Sequence, residues 1–195
     1  MTFLCINGIG NAHGSGSTDL MRHELHEVRG IPAIDVNYKA VAWYETRFKY
    51  ARRRVAVAIE TAARGRAVPP IDIVAHSFAC LGTIQAMRRG MAFRHIWFFG
   101  AAVDRDVDLS GLRFSTITNV VNRRDKALEA GGALWFHPIG KLGRDGYKGS
   151  DPRVSDSFWS DYDEGADDDW FNHSDYFRGV NLALWGDRIE AQYRA

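Results

Sequence analysis

The chain has 195 residues, 46% of them hydrophobic, with 25 Lys and Arg against 24 Asp and Glu and a formal net charge of +1. That length and apolar share suit one globular domain over residues 1–195 with a full core, and they exclude a disordered chain. The near-zero charge gives no global pull toward nucleic acid, and no apolar run approaches the length of a membrane span.

Residues 2–6 are short and apolar and predict a strand that ends at Asn7-Gly8. The N-terminus has neither a basic stretch nor a long apolar one, so no secretory leader is expected. A glycine-rich loop over 8–16 leads to a helix that Ser17 or Thr18 could cap and that stops at Gly30-Ile31-Pro32. Residues 33–37 read as a second strand. Val41, Tyr44, Phe48, Val55, Ile59 and Ala62 fall near helical spacing and predict a long helix over 41–64. The basic residues between them, Arg47, Lys49, Arg52, Arg53 and Arg54, read as a solvated helix face. After Pro69-Pro70, an apolar β-type run to His76 predicts a third strand. A helix then runs to Arg88-Arg89-Gly90, where cations and a glycine mark its end. Strands are predicted over 94–99, 114–121 and, more briefly, 153–158. A last helix covers 175–193, with Gly179 and Gly186 as candidate breaks.

Strands alternating with helices imply an α/β fold: a mainly parallel sheet of about five to six strands with helices on both faces. Residues 131–169, rich in Gly, aromatics and acids, are the least regular, and a stretch of that length is expected to act as a lid. The two cysteines, Cys5 and Cys80, lie in apolar surroundings and are expected as buried thiols in a reducing, cytoplasmic setting.

The chemistry concentrates at Ala75-His76-Ser77-Phe78-Ala79. A serine on a sharp strand-to-helix turn is forced into a strained backbone conformation that lifts its hydroxyl above the end of the sheet. Small flanking residues are needed because strand and helix nearly touch, and Ala75 and Ala79 meet that need where glycines are usual. A serine hydroxyl needs a base. His173 lies before the last helix, in Trp170-Phe171-Asn172-His173, and is favoured over His137. His76 reads as structural, His13 could touch substrate, His23 and His26 fall on a surface helix, and His95 starts a strand. The base in turn needs a carboxylate to hold its tautomer. Asp125 follows the fifth predicted strand, with Asp104 and Asp106 as alternatives. Asp125 could instead cap the helical pattern that begins at Lys126. Ser77, Asp125 and His173 come in the chain order Ser…Asp…His. Backbone N–H groups for an oxyanion would come from Phe78 and, through Asn7-Gly8-Ile9-Gly10, from Ile9.

Together these residues resemble the α/β-hydrolase superfamily, from the loop after the first strand to His173. The Asn7-Gly8-Ile9-Gly10 loop is similar to the His-Gly-X-Gly loop of lipases and esterases in its backbone part. The stretches 122–128 and 142–146 are also similar to bacterial α/β-hydrolase families of unassigned function. The resemblance implies a compact hydrolase fold without a large cap domain. It further implies a serine hydrolase that cleaves an ester or related acyl bond through an acyl-enzyme. The substrate would be a small acyl compound, with no metal or organic cofactor and no nucleic acid; oligomeric state is left open.

Other readings compete. One is a hydrolase fold serving as an inactive binding module. Another is dinucleotide binding, since Gly8-x-Gly10 follows a strand and Asp35 closes the next. There, however, the third glycine of the fingerprint falls at His13, and no Gly-Lys follows for a phosphate loop. The acidic residues 161–169 lack calcium-loop spacing and read as a solvated loop. Phe78, Trp135, Phe136, Trp159, Trp170 and Phe171 fit either an apolar acyl pocket or core.

Overall fold

The computed structural model describes residues 1–8, 17–38, 45, 49–133, 140–159 and 173–195. Six strands form one sheet: β1 (Thr2–Ile6), β2 (Ala33–Asp35), β3 (Ile71–His76), β4 (Ala92–Phe99), β5 (Arg113–Val121) and β6 (Val154–Phe158). Their spatial order is β2-β1-β3-β4-β5-β6, and every neighbouring pair is parallel. This is the α/β class expected: one parallel sheet of six strands.

Parallel strands buried on both faces read as continuous apolar runs, and β1 and β3 are buried at every position. Successive side chains still alternate between faces. Leu4, Ile6, Ile73, Ala75, Ile96 and Phe98 enter one core with α2 (Lys49–Gly65) and α3 (Phe78–Arg88). Phe3, Cys5, Val74, Trp97 and Phe99 enter a second core against α1 (Ser17–His23) and α6 (Gly179–Arg194). Helices therefore cover both faces. On α2 the buried positions Ala51, Val55, Ala56, Ile59, Ala62 and Ala63 form one stripe, and Lys49 and Arg53 face solvent. Cys5 and Cys80 are buried free thiols, and burial raises both above the usual thiol range.

Several local expectations change. The first helix continues through a π-helical turn over Glu24–Val28. Asn7, just past β1, accepts from both the Thr18 N–H and the Thr18 hydroxyl at 2.7 Å. β2 ends at Asp35 rather than residue 37, and β4 begins at Ala92 rather than 94. Within the stretch expected to be irregular lie the end of α4 (Lys126–Ala133) and the short α5 (Leu142–Asp145), while the strand expected over 153–158 is there as β6 at the sheet edge. The last helix is divided. A 3₁₀ turn over Asp175–Phe177 precedes Arg178, whose extended backbone separates it from α6. Residues 134–139 and 160–172 lie outside the described residues, and with them part of the expected lid, His137 and the acidic stretch 161–169.

Candidate functional site

Ser77 stands between β3 and α3 with φ 57° and ψ −124°, and it has the one positive φ among the described non-glycine residues. L-residues avoid this region because Cβ crowds the backbone, so the surroundings must hold it. They do so through hydrogen bonds on both sides. The Ser77 N–H donates to the Phe99 carbonyl at 2.9 Å, and the Ser77 carbonyl accepts from Ala102 at 3.3 Å. Ala75 and Ala79 are fully buried where strand and helix meet. The backbone of Gly8 passes directly over the serine. A Cβ at Gly8 would lie 2.8 Å from Ser77 Cβ and 3.4 Å from Oγ, so no side chain fits there. Tyr38 donates its hydroxyl toward the carbonyls of Asn7 and Gly8.

His173 Nε2 lies 2.8 Å from Ser77 Oγ, and its Nδ1 lies 2.7 Å from Asp125 Oδ2. Asp125 is fully buried, and the His173 side chain is 18% exposed. A carboxylate only accepts, so Nδ1 carries the proton and Nε2 is left bare to accept from the serine. Asp125 uses its other oxygen too: Oδ1 accepts from the Leu128 N–H at 2.9 Å, in the first turn of α4. Asp125 thus meets the start of α4 with one oxygen and the His173 ring with the other. Asp104 and Asp106 are exposed, and the Nδ1 that either would have to reach is engaged by Asp125. Gly100, just past β4, has φ +51°, and a Cβ there would come within 3.0 Å of His173 Cε1 and 3.4 Å of Asp125 Oδ2.

Phe78 opens α3. Its N–H belongs to the first turn, which lacks intrahelical acceptors and carries the positive end of the helix dipole. Ile9, the other expected donor, and His13 lie outside the described residues, as do Trp135, Phe136, Trp170 and Phe171. Phe78 and Trp159 belong to the cores, with Trp159 edge-on to Tyr176 at 4.8 Å. Asp35, the acid of the dinucleotide alternative, is paired with Arg22 at 3.1 Å. Its carboxyl is pushed up to about 6 by partial burial and by Asp19, against the pull of Arg22. Among the described residues no group of three or more His, Cys, Asp or Glu could hold a metal ion, and no helix is long and apolar enough to cross a membrane.

Two features were not anticipated. Gly100 clears space for the histidine, and its signal in the sequence was a glycine directly after an aromatic strand. His76 also lies closer to the site than a structural reading implied, with its ring 4.7 Å from that of His173.

No family model and no curated protein matches the chain. Among solved structures it is similar to a proposed YdeN-like hydrolase from Pectobacterium atrosepticum. The two share 12% identity and a TM-score of 0.46, over 80% of this chain and 76% of that one.

Proposed function

We propose that this protein is a serine hydrolase that cleaves an ester or related acyl bond through an acyl-enzyme, with Ser77 as nucleophile, His173 as base and Asp125 as orienting acid. The observation that carries the reading is the continuous line from Ser77 Oγ through the two ring nitrogens of His173 to Asp125, with spacings of 2.8 and 2.7 Å. It starts from a serine held in a strained turn. A buried structural serine needs neither a positive φ nor a histidine backed by a carboxylate.

The chemistry follows from the hydrogen bonds. Bare Nε2 takes the Ser77 proton as Oγ attacks the acyl carbon, and the carbonyl electrons move onto oxygen. The Phe78 N–H and the dipole of α3 stabilise that oxyanion, with Ile9 as the second donor. One such donor contributes roughly 10²–10³ in rate. Asp125 stabilises the imidazolium that forms. The Nε2 proton then passes to the leaving alkoxide as the bond breaks, which leaves the acyl group on Ser77. Water repeats the cycle: His173 takes its proton, hydroxide adds to the acyl carbon, and Ser77 leaves with the proton returned from Nε2. The substrate is a small acyl compound that reaches the C-terminal edge of the sheet.

A fluorophosphonate probe tests the assignment. Covalent labelling mapped to Ser77, with turnover of p-nitrophenyl esters that disappears in Ser77→Ala, is the expected result. A folded wild-type protein that neither labels nor turns over any ester of the chain-length series would leave the fold as a binding module.

A further inference from the structure

His76 is buried, 4% exposed, and has no part in the proton transfers above. It is the last residue of β3, and its side chain falls on the face covered by α1 and α6. Its Nε2 lies 2.8 Å from the main-chain carbonyl of His173. A carbonyl only accepts, so Nε2 carries the proton. The remaining nitrogen, Nδ1, is then bare and lies 3.3 Å from the Ser17 hydroxyl, which can turn its proton to it or to Ser174 Oγ at 3.5 Å. The tautomer is thereby fixed by the His173 carbonyl. The ring is tilted 43° to that of His173 and stands edge-on to Phe177 at 5.3 Å.

We propose that His76 is a positioning residue for His173, clamping its main chain so that the imidazole stays in line between Asp125 and Ser77. The proposal rests on the serine-hydrolase reading. The side-chain bonds to Asp125 and Ser77 fix the two ends of the imidazole, but they leave its Cα free to shift. The bond from His76 Nε2 fixes the backbone from which the ring hangs. A misplacement of about 1 Å at a reacting group costs up to roughly 10²-fold in rate. The clamp also has to be neutral, because a cation 4.7 Å from His173 would oppose the imidazolium formed in the reaction. Burial, reinforced by the proximity of His173, holds His76 down at about 3, although its bond to the His173 carbonyl pulls the other way.

Two variants separate the clamp from simple packing. His76→Phe keeps a planar ring and removes the donor, while His76→Gln returns an amide N–H at similar reach. Ester turnover and the rate of fluorophosphonate labelling of Ser77 are measured for both beside wild type. Expected are a fall in kcat of about 10²-fold for His76→Phe with KM changed by less than about threefold, and recovery to within about tenfold of wild type for His76→Gln. A folded His76→Phe with kcat within about twofold of wild type overturns the proposal, as does an equal loss in both variants. Should the Phe variant not fold, ¹⁵N spectra of the wild-type imidazoles decide. The neutral Nε2–H form of His76 supports the clamp, and an Nδ1–H form overturns it. A wild type that does not label at all overturns the hydrolase reading and the clamp with it. A labelled wild type with an unaffected Phe variant overturns the clamp alone.

Discussion

Replacing Asp125 by Asn should lower kcat by about 10⁴-fold, roughly 5.5 kcal/mol of transition-state stabilisation, while changing stability by less than about 1 kcal/mol. The wild-type carboxylate accepts twice, from His173 Nδ1–H at 2.7 Å and from the Leu128 N–H at 2.9 Å. Asparagine has one acceptor and one donor for those two places. With its oxygen kept on Leu128, the amide nitrogen faces Nδ1, and the ring must move its proton to Nε2. Nδ1 and the Leu128 N–H then still have partners, but Nε2 can no longer take the serine proton. With the amide flipped, Nδ1–H keeps its acceptor, and the Leu128 N–H meets another donor. A buried donor left that way costs about 1–3 kcal/mol. A tautomer swap leaves both Nδ1 and the Leu128 N–H paired, so the first arrangement wins, and the loss appears in rate rather than in stability. Ester turnover measured beside the urea midpoint reads both quantities. Retention of kcat within about tenfold at unchanged midpoint would refute the reasoning. Asp104→Asn, at an exposed position, is the control and should stay within about twofold of wild type.

Ser77→Gly and Ser77→Ala should both lose turnover by several orders of magnitude, but the Gly variant should be more stable than the Ala variant by about 1 kcal/mol, because φ 57° suits glycine alone. Equal urea midpoints would show that the turn is not strained. Gly100→Ala should destabilise by about 1–2 kcal/mol through its φ of +51° and lower kcat about tenfold by pressing on His173 from 3.0 Å; unchanged kcat and midpoint would contradict both effects. The folded state holds His76 near 3, below its unfolded value of about 6.5, so the stabilisation is present above pH 6.5 and is lost as pH falls toward 3. Between pH 7 and pH 4 this group alone should remove about 3 kcal/mol, and His76→Gln should flatten that part of the pH–stability curve. Parallel curves for the two proteins would count against a buried neutral imidazole.

The parts of the fold that follow from local chemistry were legible in the chain. β1 and β3 are apolar runs closed by Asn7-Gly8 and opened by Pro69-Pro70, and the structure has them over Thr2–Ile6 and Ile71–His76. Ser77, Asp125 and His173 could be named because each follows a recognisable strand or precedes a helix, although 96 positions separate the serine from the histidine. Elements that depend on tertiary contacts were not legible. α5 is four residues long, too short to show a helical period, and it is held by Leu142 in the core and by Asn119 donating to the Leu142 carbonyl. The π-helical turn over Glu24–Val28 has no sequence signature. Capping of α1 by Asn7 joins positions eleven apart in the chain, which no local capping pattern describes. The contact between His76 and the carbonyl of His173 has the same character.

The sheet order explains why residues so far apart in sequence share one site. Gly8, Ser77, Gly100 and Asp125 follow β1, β3, β4 and β5, and these four strands are consecutive neighbours in space. Parallel strands stand about 4.8 Å apart, so their C-terminal ends deliver four chain segments to a strip only three strand spacings wide. The glycine over the serine, the strained serine, the glycine beneath the imidazole and the buried acid are thus set by one rigid scaffold. His173 alone among these groups arrives from outside the sheet, ahead of the 3₁₀ turn that leads to α6. A group without a strand beneath it needs its own anchors, and among the described residues three supply them: Asp125 at Nδ1, Ser77 at Nε2 and His76 at the main chain. Two of those anchors, His76 and Ser77, are adjacent residues at the end of β3. A displacement of that strand end would therefore move Ser77 and the backbone of His173 together, preserving the 2.8 Å contact between them. Substitution of His76 breaks that coupling and leaves Ser77 in place, which is why its effect should appear in kcat ahead of KM.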